Sequence, residues 1–563
     1  MNYSGARILI ECLAEQGVDS VFGYPGGSVI AIYDELHKHA DRIKHYLTAH
    51  EQGAAHAADG YARATGKPGV VIATSGPGAT NLVTGIATAY MDSVPMVAIT
   101  GNVPVSLLGK DSFQEVDIAG ITMPITKHSF IVKDVKDLAR CLRSAFAIAT
   151  TGRKGPVLVD IPKDVTMALC SWEAQSETER AKALAALEAR WQPPLGATEL
   201  ADAAAMINAS KRPLLYAGGG IISSGAAPEL KELAERLKAP VALSLMGHGA
   251  FPAAHPLCTG LIGMHGAKAS NMAASRADLI IALGTRFSDR VVGNVASFAS
   301  AAGVLHIDID PAEINKNIRS GRALKGNIKA ILQALVPLVR ARDSSDWNGD
   351  IDAWKQIRPS SHHADKALHP RFIMEEIHAR VPSDAIITTE VGQHQMWTAQ
   401  FYPFSAPRSF ISSGGLGTMG FGTGAAMGAQ VAYPARQIVH IAGDGSFRMN
   451  CAELATIAHY DLPILIVVMN NGTLGMVRQW QSMFFDGRHS ATTLNRPPDF
   501  VKLADAFGLA AWRATDASSF KEALALALES RRPCLIECAI DIDESVLPMV
   551  PSGKAIEEQI LEP

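Results

Sequence analysis

The sequence predicts an α/β protein built from three doubly wound parallel-sheet domains, and three observations support this prediction. Short apolar, β-branched runs alternate with helical patterns along all 563 residues, as in chains whose parallel strands are covered by helices on both faces. Two stretches, at about 173–195 and 341–368, are polar or charged and read as inter-domain linkers. They leave three pieces of similar size, which suggests duplication at the domain level. We predict domains over 1–172, 190–342 and 366–563.

The predicted strands are short and apolar throughout. In chain order they are GVVIATS (69–75), PMVAITG (95–101), PVLVDIP (156–162), PLLYAGG (213–219), DLIIALG (278–284), VLHIDID (304–310), QIVHIAGDG (437–445) and PILIVVMNN (463–471). Ligands of doubly wound sheets bind beyond the carboxyl ends of the strands. We therefore expect the functional residues where these strands stop and glycines begin.

The composition excludes several classes of protein. Lys and Arg total 51 and Asp and Glu total 55, a net charge of −4, so a basic face for nucleic acid is not expected. The seven cysteines are mostly far apart in the sequence, which favours reduced thiols over a zinc site. The first residues show no basic stretch, long apolar core or small-residue cleavage site, so a signal peptide is not expected, and no apolar run approaches the ~20 residues that span a bilayer. We expect a cytoplasmic protein that acts on small molecules and binds neither membrane nor nucleic acid.

Two neighbouring strands of the last domain end in polar turns. One is followed by Gly443-Asp444-Gly445-Ser446 and the next by Asn470-Asn471-Gly472-Thr473. In a right-handed βαβ unit both strands end at the same edge of the sheet. We therefore expect Asp444 and Asn471 to lie close together although 27 positions separate them. A carboxylate and an amide oxygen suit Mg²⁺, and the flanking glycines admit a diphosphate. Alone, Asp-Gly is more often a plain turn; the paired asparagines favour the metal site.

This spacing resembles a family signature. GDG, 24 intervening residues and NN are similar to the motif of thiamine-diphosphate-dependent enzymes. The resemblance implies that Asp444, Asn471 and the backbone carbonyl of Thr473 bind Mg²⁺, and that this metal bridges the two phosphates of the cofactor.

A glycine motif just upstream has two interpretations. Gly415, Gly417 and Gly420 satisfy G-x-G-x-x-G, but no acidic residue follows about 20 positions later, so a dinucleotide site is disfavoured. In the thiamine family this segment lies against the aminopyrimidine ring, and a bulky apolar side chain imposes a V-shaped cofactor. Met419 matches that position; without the neighbouring signature it would be interpreted as a core residue.

A glutamate in the first domain is the candidate partner of the cofactor's far ring. A lone Glu at a helix start is usually a solvated partner of the helix dipole. Here GYPGG (23–27), HEQGAAHAADGYAR (50–63) and TSGPGATN (74–81) resemble the pyrimidine-binding domain of the same family, and Glu51 matches its glutamate. A carboxyl bound to pyrimidine N1′ stabilises the imino tautomer, so the cofactor supplies its own base. The resemblance also implies active sites shared between two chains, hence a homodimer or tetramer.

The middle domain narrows the resemblance to acetolactate synthase (acetohydroxyacid synthase). Its GGG, GMHG, GTRFSDR and HIDID motifs resemble the FAD-binding domain of that family. The runs GQHQMW, SGGLGTMGFG, GMVRQWQ and VLPMVPSGK resemble further segments of it, so the likeness covers nearly the whole chain. Thr285, Ser288, Asn327 and Thr423-Gly424 depart from the usual family residues. The three domains are thereby interpreted as pyrimidine-binding, FAD-binding and diphosphate-binding.

The resemblance assigns three further sets of residues. To the thiamine cofactor it assigns Pro25, Pro77, Asn81, Gln393, His394, Gly417, Met419, Gly443, Gly445, Ser446, Leu474, Gly475 and Met476. To FAD it assigns Arg153, Gly218, Gly219, Gly220, Gly263, Met264, His265, Gly266, Gly284, Thr285, Arg286, Asp289, Asp308 and Asp310. To catalysis it assigns Glu51, Gly27, Phe113, Gln114, Lys163, Arg290 and Trp480.

Physical chemistry supports two members of the catalytic set. A guanidinium such as that of Arg290 matches the carboxylate of a second substrate, and the indole of Trp480 can shape an acceptor pocket. Each of four residues also has an ordinary alternative: Phe113 and Trp480 as core, Lys163 as a surface charge and Arg290 as an ion-pair partner.

The implied activity is that of a transferase of branched-chain amino-acid biosynthesis. Pyruvate is decarboxylated on thiamine diphosphate, and the hydroxyethyl carbanion adds to a second pyruvate, giving 2-acetolactate, or to 2-oxobutyrate, giving 2-aceto-2-hydroxybutyrate. Thiamine diphosphate, Mg²⁺ and FAD are the implied cofactors, and a small regulatory subunit is a possible partner. The alternatives are a pyruvate oxidase, a flavin-free catabolic acetolactate synthase and a non-catalytic α/β binding protein.

Overall fold

Three six-stranded parallel sheets form the framework of the chain, which confirms the predicted fold class. The structure is a computed structural model and describes residues 2–343, 345–357, 359, 368–496 and 498–562. All eight predicted strands are present, each within about two residues of its predicted ends.

The first sheet lies in the N-terminal part of the chain. In spatial order its strands are Lys44–Leu47, Ser20–Tyr24, Gly69–Ala73, Met96–Asn102, Pro156–Pro162 and His128–Ile131. Asn2–Ser4 pairs antiparallel with Leu169–Ser171 beside it. The helices are Gly5–Glu15, Ile30–Lys38, Glu51–Thr65, Pro77–Asn81, Val83–Met91, Ile118–Thr122, Val135–Thr150 and Lys163–Met167, with 3₁₀ turns at Val105–Leu107 and Met123–Ile125.

The second sheet has a different strand order. Its strands, in space, are Cys258–Leu261, Val241–Leu243, Pro213–Ala217, Leu279–Leu283, Gly303–Asp308 and Arg322–Lys325. The helices are Ala197–Ala209, Gly219–Ser224, Ala227–Leu237, Lys268–Arg276, Asp289–Val292, Ile328–Leu335 and Ser345–Lys355, with 3₁₀ turns at Leu245–Gly247 and Val336–Leu338. Numbered within the domain, the order is 3-2-1-4-5-6, that of dinucleotide-binding sheets.

The third sheet repeats the strand order of the first. Its strands are Phe410–Ile411, Ile386–Thr389, Ile438–Gly443, Ile464–Asn470, Cys534–Ala539 and Ala510–Ala514. The helices are Pro370–Arg380, Gln393–Phe401, Phe421–Ala432, Asp444–Phe447, Leu454–His459, Gly475–Phe484, Phe500–Ala506 and Ala517–Ser530, with a 3₁₀ turn at Cys451–Glu453. Numbered within each domain, both sheets read 2-1-3-4-6-5.

Two helices join the first and third sheets. We call Glu51–Thr65 the Glu51 helix and Phe421–Ala432 the Phe421 helix. Both are rich in Gly and Ala, and a Cβ at Gly60 would overlap the carbonyl oxygen of Ala425 while one at Gly428 would overlap that of Ala57. Small residues therefore let the two backbones touch. The buried Arg63 adds polar contacts from the Glu51 helix, donating to Asp59, to Asp92 (2.9 Å) and to the carbonyl oxygen of Ser412 (2.9 Å).

The stretches predicted as linkers contain helices. Glu177–Glu188 is a helix without buried side chains, which begins at a Ser176 capping box. Ser345–Lys355 packs on the middle sheet, where Trp347 is buried and its indole N–H donates to the carbonyl oxygen of Pro213 (3.0 Å). Residues 344, 358 and 360–367 of the second stretch lie outside the described residues. The domain boundaries stay predictions.

No helix within the described ranges has both the length and the apolar character that crossing a membrane would require.

The contact between the two helices gives a first testable prediction. Gly428→Ala places a methyl group on the backbone of Ala57, so we expect the free energy of unfolding to fall by about 1–3 kcal/mol. Denaturant titration followed by circular dichroism measures this. Gly349→Ala is the control, because nothing lies within 4 Å of its Cβ position in the helix Ser345–Lys355, and alanine there should stabilise by up to about 1 kcal/mol. Equal stability of Gly428→Ala and the unsubstituted chain would contradict the prediction.

Candidate active site

The third sheet ends in the predicted acidic turn. Asp444 follows the strand Ile438–Gly443, is buried, and its Oδ2 has no hydrogen-bond partner. Burial raises the pKa of Asp444 to about 6, and the backbone N–H of Asn471 is among the groups that counter this effect. The two strand ends therefore converge, as the sequence predicts, and the free carboxylate oxygen is suited to a cation.

The amide of Asn471 belongs to a buried chain of amides. Its Nδ2 donates to Oε1 of Gln393 (3.1 Å), and Nε2 of Gln393 donates to Oε1 of Gln479 (3.0 Å). Its Oδ1 accepts a hydrogen bond from the backbone N–H of Thr473 (3.3 Å). Thr473 is itself fixed by a bridge to Thr493 and by its hydroxyl, which donates to the carbonyl oxygen of Thr492 (2.8 Å). The amide is thus held with its nitrogen engaged, and oxygen remains the ligand it can offer.

Close packing explains the glycines around Asp444. A Cβ at Gly443 would lie 2.6 Å from Nδ1 of His394, and one at Gly445 would lie 2.6 Å from Cδ2 of Leu474. The imidazole of His394 is buried, its Nε2 has no partner, and burial lowers its pKa to about 4, so it is neutral at pH 7.

These residues fit a divalent cation with a diphosphate. Asp444 supplies an unpartnered buried oxygen, Asn471 an amide oxygen and Thr473 a backbone carbonyl, all hard ligands of the kind that Mg²⁺ takes. Within the described ranges no group of three His, Cys, Asp or Glu is placed to hold a metal ion. A metal here depends on these mixed oxygen ligands.

The turn with the G-x-G-x-x-G motif lies between the strand Phe410–Ile411 and the Phe421 helix. Gly417 and Gly420 have positive φ (70° and 86°), and Met419 between them is half-buried. Ser446, predicted to bind the cofactor, donates its hydroxyl hydrogen to Glu390 (2.8 Å). Glu390 was not predicted from the sequence, although it directly follows the strand Ile386–Thr389, as Asp444 follows the strand Ile438–Gly443.

A cavity of about 1750 Å³ lies between the three domains. Its lining includes, among the predicted residues, Arg153, Gly219, Gly220, Met264, His265, Gly284, Thr285, Arg286, Asp289, Arg290, Asp308, Gly417, Met476 and Trp480. The part of the cavity within the middle domain opens where two neighbouring parallel strands, Pro213–Ala217 and Leu279–Leu283, end side by side. A buried Oγ1 of Thr285 without a partner also lines it.

Four residues predicted for the middle-domain site do not line that cavity. Gly218 packs against the carbonyl oxygen of Gly284, and Gly266 against Oδ1 of Asn271. Asp310 accepts a hydrogen bond from Arg153 (3.1 Å). Gly263 lines a second cavity of about 70 Å³ next to the C-terminal segment. Their physical role here is support of the neighbouring turns.

Arg290 and Trp480 lie together at the large cavity. The guanidinium carbon is 6.0 Å from the indole ring, although the residues are 190 positions apart. The nearest carboxylate of Arg290, that of Asp289, is 3.8 Å away, and the side chain is 63% exposed. Trp480 thus lines the cavity, and Arg290 retains open donors.

The remaining predicted residues lie at the carboxyl edge of the first sheet. Glu51 accepts a hydrogen bond from Nδ2 of Asn81 (2.9 Å), and a Cβ at Gly78 would lie 3.2 Å from its Oε1. Gln114 packs over Gly76, and Phe113 beside it is 89% exposed. Pro25 and Gly27 follow the strand Ser20–Tyr24 at the same edge, and Pro77 and Lys163 begin the short helices Pro77–Asn81 and Lys163–Met167.

A buried acid of the third domain supports this edge and was missed from the sequence. Glu453 accepts hydrogen bonds from the backbone N–H groups of Ala49 and His50 (both 3.0 Å), the residues directly before Glu51. Glu453 and the residues that donate to it belong to different domains. Its place in the sequence, nine residues after Asp444, therefore did not indicate this contact.

The structure therefore divides the predicted residues among three places. These are the large cavity, the Asp444 turn with Asn471 beside it, and the Glu51 edge of the first sheet. Of the residues described, none of the predicted catalytic residues at the Glu51 edge lines the large cavity.

Comparison with known proteins agrees with this architecture. Three family models described as thiamine pyrophosphate enzyme match the chain: the N-terminal TPP binding domain over 3–121, the central domain over 200–335 and the C-terminal TPP binding domain over 390–538. The acetolactate synthase large subunit of Parasynechococcus marenigrum is 49% identical over 98% of this chain and 90% of its own length. The probable acetolactate synthase large subunit of Methanocaldococcus jannaschii is 47% identical over 98% of this chain and 94% of its own length. Acetolactate synthase isozyme 2 large subunit of Escherichia coli is 45% identical over 99% of this chain and 99% of its own length.

The contact between Gly218 and Gly284, which follow two neighbouring strands of the middle sheet, gives a second prediction. Gly218→Ala places a methyl group on the carbonyl oxygen of Gly284 and should destabilise the chain by about 1–3 kcal/mol, measured as a lower thermal midpoint. Gly219→Ala is the matched control, because its Cβ would lie no closer than 3.3 Å to Met246, so that a shift of a few tenths of an ångström relieves the contact. The interpretation is wrong if the two variants unfold together.

Proposed function

The chain belongs to the acetolactate synthase large subunits within the thiamine pyrophosphate enzymes, and we propose that it joins two 2-keto acids with loss of carbon dioxide. One pyruvate loses carbon dioxide, and its remaining two-carbon unit is transferred to a second keto acid. Pyruvate as acceptor gives 2-acetolactate, and 2-oxobutyrate gives 2-aceto-2-hydroxybutyrate. The observation that supports this most directly is the convergence of Asp444 and Asn471 beside a cavity lined by Arg290 and Trp480.

Asp444, Asn471 and the carbonyl of Thr473 are the residues that we assign to a Mg²⁺ ion. When bound, thiamine diphosphate supplies a thiazolium ring that stabilises negative charge on the decarboxylated two-carbon unit. The unpartnered Asp444 oxygen and the neutral His394 leave this turn ready to accept a cation and its diphosphate. Met419 is assigned to support the cofactor between its two rings.

Glu51 is assigned to the cofactor's pyrimidine ring. Its carboxyl is oriented by Asn81, and Glu453 holds the backbone just before it. A carboxyl fixed from both sides can hold a proton at pyrimidine N1′ in one geometry.

The middle domain is assigned to FAD. Its strand order is that of dinucleotide-binding sheets, and Gly219, Gly220 and Gly284 line the cavity at the switch point. The unpartnered Thr285 hydroxyl is available to a polar ligand. Decarboxylation with carbon–carbon bond formation leaves the net oxidation state unchanged, so FAD would be structural in this reaction.

Arg290 and Trp480 are assigned to the acceptor keto acid. The guanidinium has free donors for a carboxylate, which it can bind in a bidentate manner. The indole beside it limits the space for the acceptor's alkyl group, where one methylene is worth about 1–3 kcal/mol.

We further propose a homodimer with each active site between two chains. Glu51 and Asp444 lie at edges of different sheets, and a second chain would bring one edge to the other. Large apolar side chains are exposed at the first domain, among them Phe113 (89%), Met123 (71%) and Leu169 (71%), as expected of an interface. The relatives are named large subunits, which supports a smaller partner chain as well.

A pyruvate oxidase uses the same fold and is the second candidate. It is not favoured, because relatives at 42–49% identity over nearly the whole chain are named acetolactate synthases.

The activity itself gives the third prediction. Purified protein with Mg²⁺, thiamine diphosphate, FAD and pyruvate should form acetolactate, measured by conversion to acetoin in acid and its colour reaction. Omission of FAD and addition of 2-oxobutyrate are the companion assays. Acetate or peroxide as the product would contradict the assignment in favour of an oxidase.

The fourth prediction tests the shared active site. We expect Glu51→Gln and Asp444→Asn each to lower turnover by about 10²-fold or more with the fold retained. Co-expressed with different tags, the two variants should regain about a quarter of wild-type activity, because half of randomly paired dimers are mixed and each carries one intact site. Separately purified variants assayed alone are the control. Mixed dimers no more active than either variant would place the whole site in one chain.

A further inference from the structure

Glu390 is a buried acid between two turns of the candidate site. It follows the strand Ile386–Thr389 and is fully buried. Its Oε2 accepts hydrogen bonds from the backbone N–H of Gly420 (2.6 Å) and the hydroxyl of Ser446 (2.8 Å). Its Oε1 accepts from the backbone N–H (3.1 Å) and the hydroxyl (3.2 Å) of Thr423. Four donors thus surround one carboxylate.

These donors belong to different parts of the cofactor site. Gly420 directly follows Met419, and Ser446 lies two residues after Asp444. The N–H of Gly420 is also 3.2 Å from the Ser446 hydroxyl oxygen. Glu390 therefore connects the turn that carries Met419 to the turn that carries Asp444.

The charge of Glu390 is retained despite its burial. Burial raises its pKa, but His440, whose Nε2 lies 3.6 Å from Oε1, together with Ser446 and Thr423, brings the pKa to about 2. The acid is a carboxylate at neutral pH, and hydrogen bonds to a carboxylate are stronger than those between neutral groups. The two turns are therefore held by charge-assisted bonds to a carboxylate that is itself fully buried.

One of the donors is a side-chain hydroxyl. A residue without a hydroxyl at position 423 would offer Glu390 only its backbone N–H. The Thr423 hydroxyl is also 3.4 Å from Nε2 of His440, whose Nδ1 is 3.0 Å from the hydroxyl of Thr388. This chain thus surrounds Glu390 with additional polar groups.

We propose that Glu390 is a positioning residue that fixes the Met419 turn against the Asp444–Ser446 turn and so sets the affinity for thiamine diphosphate. The proposal rests on the proposed function only in taking both turns as parts of the cofactor site. Gly420 is also the N-cap of the Phe421 helix, so the alternative is a purely structural role in starting that helix.

The test uses Glu390→Gln, which keeps the shape and removes the charge. A glutamine cannot satisfy the same donors, so we expect the Kd for thiamine diphosphate at saturating Mg²⁺ to rise about tenfold or more. Tryptophan fluorescence on folded, size-selected protein measures the Kd, and the cofactor-induced rise in thermal midpoint should shrink with it. At saturating cofactor, the KM for pyruvate should stay within about twofold of the wild-type value.

Two further variants complete the test. Glu229→Gln is the matched control: it is a buried acid of the middle domain that accepts a hydrogen bond from Gln333 (2.8 Å) and touches neither turn, so its Kd should equal the wild-type value. Thr423→Val removes one hydroxyl donor and keeps the backbone N–H, so a Kd between those of wild type and Glu390→Gln is expected.

Three results would overturn the proposal. One is an unchanged Kd in Glu390→Gln. Another is reduced turnover with an unchanged Kd, which would indicate the structural role. If Glu390→Gln does not fold, an unchanged Kd in Thr423→Val decides against it. Because cofactor binding is measured without turnover, the test stands even if the wild-type protein forms no acetolactate.

Discussion

The site depends on one constraint, the ending of parallel strands at a common sheet edge. A strand in the middle of a parallel sheet must stay apolar on both faces, so polar side chains are displaced to the residues that follow it. The right-handed crossover then brings two such ends together. Asp444 and Asn471 meet in this way, and the cost of burying Asp444 with its Oδ2 unpartnered is visible in its raised pKa. A carboxylate kept in that condition is prepared for a cation.

The three domains use this constraint in two different ways. The first and third sheets share one strand order, and both present their polar turns as separate edges. The middle sheet has another order, with its first and fourth strands side by side and glycines after both. Duplication was suggested for all three domains, but only the first and third domains share a strand order.

The strands and the Asp444–Asn471 pair were predictable because both follow from local sequence and crossover geometry. Continuous apolar runs gave the strands, and the GDG and NN turns gave the converging ligands. Glu390 and Glu453 were not predicted, because a buried acid is recognised by its donors, and the backbone N–H groups that donate to these two lie 30 to 404 positions away. The helices at 177–188 and 345–355 were predicted as linkers, since their polar composition obscured the few residues that pack, such as Trp347.

The Gly- and Ala-rich crossing of the Glu51 and Phe421 helices has a mechanical consequence. Because the backbones touch at Gly60 and Gly428, the two helices have little freedom to slide or rotate. In the proposed dimer, one chain would contribute its Glu51 edge to one active site and its Asp444 edge to the other, and these two helices would connect the two edges. A displacement of a fraction of an ångström at the first centre would be passed to the second without being absorbed, so neighbouring centres would sense each other's state of occupancy.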